Sequence, residues 1–188
     1  MTKLYLMRHG ETYFNRYKKI QGWCDSPLTP EGIAQAKQAG NYFKSHAITF
    51  DQAYCSTAER ASDTLELVTD LPYTRLKGLK ECYFGRVEGE TERFNPKPPY
   101  GDFWVQYGGE SEAELIKRIT GTVEKIAQAA GPNDKILLVS HGGIMATFFR
   151  ATFPHEKFQH LTNCCMIEMD YQDGKYSFCR FVDPLTEK

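Results

Sequence analysis

The sequence has no apolar run approaching the roughly 18 residues that a membrane-spanning helix needs. The apolar stretch at its start is also too short for the core of a signal peptide. Net charge is nearly absent, because 23 Lys and Arg against 24 Asp and Glu give −1. This balance excludes a bulk basic field that attracts nucleic acid or anionic membranes. We therefore expect a cytoplasmic protein without a nucleic-acid or membrane partner, in which any anion site is local.

The six cysteines include no C-x-x-C pair, which argues against a zinc site and against a dense disulfide framework. Reduced thiols are expected. Internal repeats and low-complexity segments are missing as well, and the 41% of hydrophobic residues is enough for a packed core. The length of 188 residues fits one domain, so we expect a single domain over residues 1–188.

Short apolar runs alternate with segments of helical period, which predicts an α/β fold with a largely parallel sheet flanked by helices. The predicted strands are residues 4–7, 50–55, 73–79 and 135–140, followed by a closing hairpin of 164–170 and 176–182 around a D-G turn. Helices are predicted to begin at the cap Thr29, at the capping boxes Ser56–Glu59 and Ser111–Glu114, and after His141. Residues 82–109 are rich in glycine and proline and predict an irregular, lid-like insertion.

Two predicted strands end in the same way, one leading into Arg8 and His9 and the other into His141 and Gly142. Ligands in open α/β sheets bind beyond the carboxyl ends of the strands, so both histidines are expected at that edge. Arg60 lies in the first turn of the helix after another strand and should reach the same edge. Helix N-termini there add N–H donors for an anion. Two arginines and two histidines in one place predict a compact pocket for a dianion such as a phosphomonoester.

These residue types also suit phosphoryl transfer. Guanidinium groups match phosphate oxygens, and a histidine is a usable nucleophile near neutral pH when its attacking nitrogen carries no proton. The leaving oxygen needs a proton, and Glu81 at the mouth of the insertion is the candidate acid, because a nearby phosphate dianion favours its protonated form. Glu88 and Glu90 lie close by, and each of the three is alternatively a simple loop charge.

Arg8-His9-Gly10-Glu11-Thr12, followed by Asn15, resembles the R-H-G-E-[ST] signature of the histidine phosphatase superfamily. The similarity is to the branch that contains cofactor-dependent phosphoglycerate mutases and related phosphatases. Further blocks resemble the family in the same order, namely residues 21–32, 56–64 around Arg60, 79–85 around Glu81, 108–111 and 139–143.

The resemblance implies a three-layer α/β/α sandwich, phosphoglycerate mutase-like, with one antiparallel strand. It implies that His9 is phosphorylated during turnover, that Glu81 donates and accepts the proton, and that His141 is held cationic. Arg8 and Arg60 would complete the phosphate pocket. Further contacts to the substrate would come from Asn15, Gln21, Gly22 and Gly142. No metal and no other cofactor is implied.

The expected function is a metal-independent phosphatase that hydrolyses a small phosphorylated metabolite. Mutase activity is the first alternative, but the insertion offers Arg86, Arg93 and Lys97 without the adjacent arginine pair of the mutases. A second alternative is a non-catalytic module that binds phosphorylated ligands. The sequence indicates neither the physiological substrate nor the oligomeric state. The insertion's aromatic residues either form a lid over the substrate or anchor the loop; they are Phe94, Tyr100, Phe103, Trp104 and Tyr107.

Overall fold

The computed structural model describes residues 1–187 and has one six-stranded sheet at its centre. The strands are β1 (Thr2–Arg8), β2 (Gln52–Ser56), β3 (Tyr73–Leu76), β4 (Lys135–Ser140), β5 (Met166–Gln172) and β6 (Lys175–Val182), arranged in the order β3-β2-β4-β1-β5-β6. Neighbours from β3 to β1 run parallel, whereas β5 runs antiparallel to both β1 and β6. The predicted mostly parallel sheet with one reversed strand is confirmed.

Helices cover both faces of this sheet. They are α1 (Tyr13–Arg16), α2 (Pro30–Ser45), α3 (Glu59–Val68), α4 (Glu112–Ala129) and α5 (Gly142–Thr152). Successive side chains of a strand point to opposite faces: Leu4 and Leu6 of β1 pack in the core with α4 and α5, and Tyr5 and Met7 pack with α2 and α3. Both faces of β1 are therefore buried, and the predicted three-layer α/β/α sandwich is confirmed. Among the described residues, no helix combines the length and the apolar character needed to cross a membrane.

Two helices begin where the sequence signals place them. The Thr29 side chain accepts a hydrogen bond from the Gly32 N–H at the start of α2. At α4, Ser111 and Glu114 form the reciprocal capping box that the sequence predicts. These ends depend only on residues three apart in the chain, which explains why they are readable from the sequence.

The start of α3 differs from the prediction. The capping box at Ser56 is wrong, since α3 begins at Glu59 with Ala58 as the capping residue, which supplies no side-chain bond. Ser56 instead ends β2, and its hydroxyl accepts a hydrogen bond from the Ala58 N–H. The Glu59 N–H is satisfied by the Asp25 carboxylate from a separate loop. A contact between distant segments therefore replaces the local cap.

Strand β3 is shorter than predicted, because the chain leaves the sheet at Leu76 and forms a 3₁₀ turn over Lys77–Leu79. Leu79 is completely buried, and its carbonyl accepts a hydrogen bond from the Ser140 hydroxyl. Burial of Leu79 thus competes with continued pairing at the sheet edge.

The closing hairpin forms around the predicted D-G turn. Asp173 and Gly174 have φ values of 51° and 77°, the left-handed conformation that a two-residue hairpin turn requires. Cys164, predicted as the start of the first hairpin strand, lies outside it and donates its N–H to the Arg8 carbonyl.

The insertion is irregular, as predicted, with short 3₁₀ turns at Gly85–Val87, Glu92–Phe94 and Phe103–Tyr107. Trp104 is 1% exposed and serves as its internal anchor. Four rings pack around it edge-on or tilted: Phe84, Tyr100, Phe103 and Tyr107. Phe94 is 56% exposed. Of the two alternatives for the aromatic residues, the anchoring role applies to Trp104 and its neighbours, and mobility of the lid stays a prediction.

Candidate active site

The two strand ends that carry the predicted histidines lie side by side. Strands β1 and β4 pair in parallel with Arg8 opposite Ser140, and the His9 N–H donates to the Ser140 carbonyl at 3.0 Å. This register brings the rings of His9 and His141 to 5.2 Å between centroids. One pair of parallel strands thus brings together two histidines that lie more than 130 residues apart in the chain.

Arg60 joins both histidines. Its Nε lies 3.3 Å from His9 Nε2 and 3.1 Å from His141 Nδ1, and the side chain is completely buried. A guanidinium N–H can only donate, so these two ring nitrogens are acceptors without a proton. His9 Nδ1 lies 2.7 Å from the Gly10 carbonyl and donates to it. His9 thus carries its proton on Nδ1 and has an unprotonated Nε2 that accepts from Arg60, the tautomer that nucleophilic attack requires.

Burial and positive neighbours set the charge of both rings. Desolvation, followed by Arg60 and Arg8, lowers the pKa of His9 well below its usual value. The pKa of His141 is also lowered well below its usual value, by burial first and then by Arg60. Burial and the neighbouring arginines therefore favour the neutral ring of His141 in the protein without ligand, and a cationic His141 during turnover stays a prediction. Only the charge of a bound anion would favour the protonated form.

Arg60 is held in place by a loop that is distant from it in the sequence. Asp25 accepts from Arg60 NH1 at 2.9 Å, the Cys24 carbonyl accepts from the same nitrogen at 3.1 Å, and the Gly22 carbonyl accepts from NH2 at 2.9 Å. Gly22, predicted to contact substrate, thus binds Arg60. A side chain at Gly22 would come within 2.5 Å of the Cys82 carbonyl. Asp25 is a site residue that sequence reasoning missed.

A cavity of about 280 Å³ opens in front of this cluster. The predicted residues that line it are Arg8, His9, Asn15, Gln21, Glu81 and Gly142. Arg60 and His141 are both completely buried, and with Gly22 they are not part of the lining. The cavity therefore brings together most of the predicted substrate-binding residues and leaves three as their support.

Three buried nitrogen atoms at this end of the cavity have no hydrogen-bond partner within residues 1–187: Arg8 Nε, Gln21 Nε2 and His141 Nε2. Arg8 is fixed at its other end, where NH1 donates to the Leu161 carbonyl at 2.7 Å. Gly142 leaves room for it, since a Cβ there would lie 3.3 Å from Arg8 Nε. Unsatisfied buried N–H groups are costly, so a ligand with acceptor oxygens would be stabilised by Arg8 and Gln21, which line the cavity.

Glu81 is the one of the three candidate acids that lines the cavity. Its carboxylate accepts from the N–H groups of Cys82, Gly143 and Ile144 at 2.7 to 2.9 Å, so it also caps the start of α5. Glu88 instead binds the N–H groups of residues 23, 24 and 84, and it ties the loop of Asp25 to the insertion. Glu81 is thus positioned by backbone donors that suit a carboxylate.

Two further residues support the site. Arg118 forms an ion pair with Glu110 at 2.7 Å and also donates to the Glu81 carbonyl at 3.1 Å. Asn163 donates to the His9 carbonyl at 3.0 Å and to Asn15 Oδ1 at 3.3 Å. Nothing in the sequence around Asn163 points to this role, because its partners are about 150 residues away.

Nowhere in 1–187 do three or more His, Cys, Asp or Glu side chains come together in a way that could hold a metal ion.

The chain resembles known proteins along nearly its whole length. The family model of the histidine phosphatase superfamily, branch 1, matches residues 4–184. The broad-specificity phosphatase YOR283W of Saccharomyces cerevisiae is 36% identical over 153 residues, which cover 75% of this chain and 66% of that protein. The uncharacterized phosphatase PhoE of Bacillus subtilis is 32% identical over 187 residues, 94% of this chain and 92% of its own.

Phosphoglycerate mutases are similar as well. A 2,3-bisphosphoglycerate-dependent phosphoglycerate mutase of Bradyrhizobium sp. is 31% identical over 156 residues, 74% of this chain and 75% of its own. Among solved structures, a phosphoglycerate mutase of Bacillus anthracis superposes with a TM-score of 0.85 at 27% identity, covering 94% of this chain and 91% of that one. An Entamoeba histolytica phosphoserine phosphatase variant in complex with phosphoserine has a TM-score of 0.81 at 31% identity, with 98% of both chains covered.

The match of the family model, the parallel sheet and the paired histidines at its edge agree with one another. This chain belongs to the histidine phosphatase superfamily, branch 1, whose members include phosphatases and phosphoglycerate mutases.

Proposed function

We propose that this protein is a metal-independent phosphatase that hydrolyses a small phosphomonoester through a phosphohistidine on His9. The observation that carries the proposal is the unprotonated Nε2 of a buried, neutral His9, held beside Arg60 and facing a cavity lined by Arg8 and Glu81. Neutral imidazole is the nucleophilic form, and guanidinium groups stabilise the charge on the transferring phosphoryl oxygens.

The proposed reaction has two steps. His9 Nε2 attacks phosphorus, the bond from phosphorus to the ester oxygen breaks, and the leaving oxygen takes a proton from Glu81. Water then attacks the phosphohistidine while Glu81 takes a proton from it, and the P–N bond breaks to release inorganic phosphate. Glu81 lines the cavity and is held by the N–H groups of Gly143 and Ile144, which supports its role in both proton transfers.

The remaining residues bind the phosphate. The unpartnered nitrogens of Arg8, Gln21 and His141 donate to its oxygens, with Asn15 and the Gly142 backbone nearby. His141 is a donor through Nε2, and a bound dianion favours the protonated ring during turnover. This division of roles separates the nucleophile from the groups that stabilise the transition state.

The experiment that tests the proposal compares His9→Ala with His155→Ala, a matched change at an exposed histidine. Purified wild-type protein and His155→Ala should hydrolyse p-nitrophenyl phosphate, and His9→Ala should not. Rapid quenching should trap acid-labile phosphate on wild-type protein only. Normal hydrolysis by His9→Ala that is free of contaminating phosphatases contradicts the mechanism.

Mutase activity is the second candidate, because phosphoglycerate mutases are among the relatives. The insertion of this chain has no adjacent arginine pair, which supports hydrolysis over retention of the phosphate. Feeding phosphoglycerates separates the two activities: a phosphatase releases inorganic phosphate, whereas a mutase forms the isomer without it. Binding of phosphorylated ligands without either reaction would indicate the non-catalytic alternative.

The size of the cavity supports a small metabolite as the substrate. The net charge of −1 supports a protein without a nucleic-acid or membrane partner. We also propose that the protein works in the cytoplasm, since its six cysteines are free thiols. Cell fractionation with an antibody to the protein tests the location.

A further inference from the structure

The cavity continues past the phosphate site along one face of α5. Gly142 and Gly143 lie at the start of this helix, and Ala146, Thr147 and Arg150 follow on the same wall. Residues three and four apart share a helix face, so these side chains form one continuous strip. From Gly143 to Arg150 the helix rises about 10 Å, and a long helical side chain leans back toward the N-terminus. The Arg150 side chain therefore lines the same cavity as Arg8 and His9, on the wall that continues from the phosphate site.

Arg150 is a cation without an anionic partner in the described part of the chain. It takes part in none of the ion pairs there, and its guanidinium carbon lies 4.9 Å from the centre of the Phe158 ring, which also lines the cavity. Stacking on an aromatic ring holds a guanidinium while leaving its N–H edge free. The edge that would bind a planar anion is thus available.

The other charged residues of the wall narrow the choice of ligand. Glu92, Glu110 and Glu112 also line the cavity, and Glu110 is paired with Arg118. A second highly charged anion such as another phosphate would be repelled by these carboxylates. A single carboxylate suits Arg150 better, because a guanidinium and a carboxylate form two parallel hydrogen bonds.

We propose that Arg150 is a specificity-determining residue that binds a carboxylate on the leaving group, so that the preferred substrates are phosphomonoesters of small hydroxy acids. The inference rests on the proposed phosphatase function. An ordinary alternative is a surface cation that stabilises the C-terminal turn of α5. Replacement of Arg150 changes the substrate preference if the residue binds a carboxylate, and it changes only stability if the residue stabilises the helix.

The test compares substrates that differ only by the carboxylate. Wild-type protein, Arg150→Gln and Arg93→Gln, a matched change on the exposed insertion outside the cavity, are assayed with O-phosphoserine and O-phosphoethanolamine. Because Arg150 is exposed and partly screened, Arg150→Gln should lower kcat/KM for phosphoserine by about tenfold and that for phosphoethanolamine by less than about twofold. Arg93→Gln should leave the ratio of the two unchanged.

Binding to His9→Ala provides a readout that does not need turnover. Calorimetry should give a preference for phosphoserine over phosphoethanolamine in His9→Ala, and this preference should be lost in the His9→Ala/Arg150→Gln double variant. Equal losses on both substrates, or a lower melting temperature with an unchanged preference, would overturn the role of Arg150. Absence of hydrolysis by wild-type protein together with an Arg150-dependent binding preference would refute the phosphatase and leave the carboxylate site standing.

Discussion

Replacement of Asp25 by Asn should reduce catalysis although Asp25 does not line the cavity. The Arg60 guanidinium is completely buried, and Asp25 is its one anionic partner within residues 1–187, at 2.9 Å with the Asp25 side chain 28% exposed. Asn keeps an oxygen acceptor and removes the charge. Arg60 then stays close to both histidines but is held less firmly.

The size of the effect follows from this pair. A hydrogen bond to a charged group contributes about 1.5–3 kcal/mol, and partial exposure of Asp25 argues for the lower end. A loss of about 1.4 kcal/mol in transition-state stabilisation lowers kcat/KM by about tenfold. Asp25 also caps α3 through the Glu59 N–H. Asp25→Ala should therefore lose about 1 kcal/mol of unfolding free energy in addition, whereas Asp25→Asn keeps most of that cap.

The assay is kcat/KM for p-nitrophenyl phosphate, with urea unfolding on the same preparations. Glu59→Gln is the matched control, because it removes a 69% exposed carboxylate from the same region. Removing the Asp25 charge leaves Arg60 uncompensated beside His9, which lowers the pKa of His9 further and moves the acidic limb of the kcat/KM profile to lower pH. A folded Asp25→Asn protein with wild-type kcat/KM and an unmoved acidic limb would refute the positioning role.

Three further predictions follow from burial and geometry. The pKa of His9 is lowered well below the 6.5 of the unfolded chain, so below about pH 6.5 the unfolded state binds more protons and the protein becomes less stable as the pH is lowered. In thermal melts, the dependence of the melting temperature on pH should be weaker in His9→Asn than in wild-type protein. Trp104→Ala should cost about 3–5 kcal/mol in urea unfolding and raise KM, whereas Phe94→Ala should change stability by less than about 0.5 kcal/mol; equal costs would contradict the anchoring role. Gly22→Ala should abolish most activity, because the added Cβ collides with the Cys82 carbonyl and displaces the loop that holds Arg60; wild-type kcat/KM in this variant would show that the loop adapts.

Much of the fold could be predicted because its signals are local. The capping box at Ser111, the D-G turn at Asp173 and the apolar run of β4 each depend on residues within a few positions of one another. The start of α3 could not be predicted, since its cap comes from Asp25, 34 residues earlier. The end of β3 was missed for a related reason: the burial of Leu79 is decided by packing and not by the strand pattern.

For the candidate site, too, some features could be predicted from the sequence and others only from the folded structure. His9 and His141 are recognisable because each follows an apolar strand, and parallel pairing of β1 and β4 is enough to bring them together. Glu81 was the candidate acid from the sequence, with Glu88 and Glu90 close by, and the folded chain separates it from them by directing its carboxylate to the start of α5. The sequence contains the His141 ring but not the burial and the positive neighbours that lower its pKa in the protein without ligand.

By itself, then, the sequence determined the order of strands and helices, the family, and which side chains stand at the strand ends, since periodicity, caps and motifs are properties of adjacent residues. Only the tertiary structure decided which loop holds Arg60, which protonation states the histidines adopt, and that Arg150 faces the cavity. These depend on desolvation and on contacts between residues far apart in the chain. Such contacts exist only once the two faces of the sheet are packed.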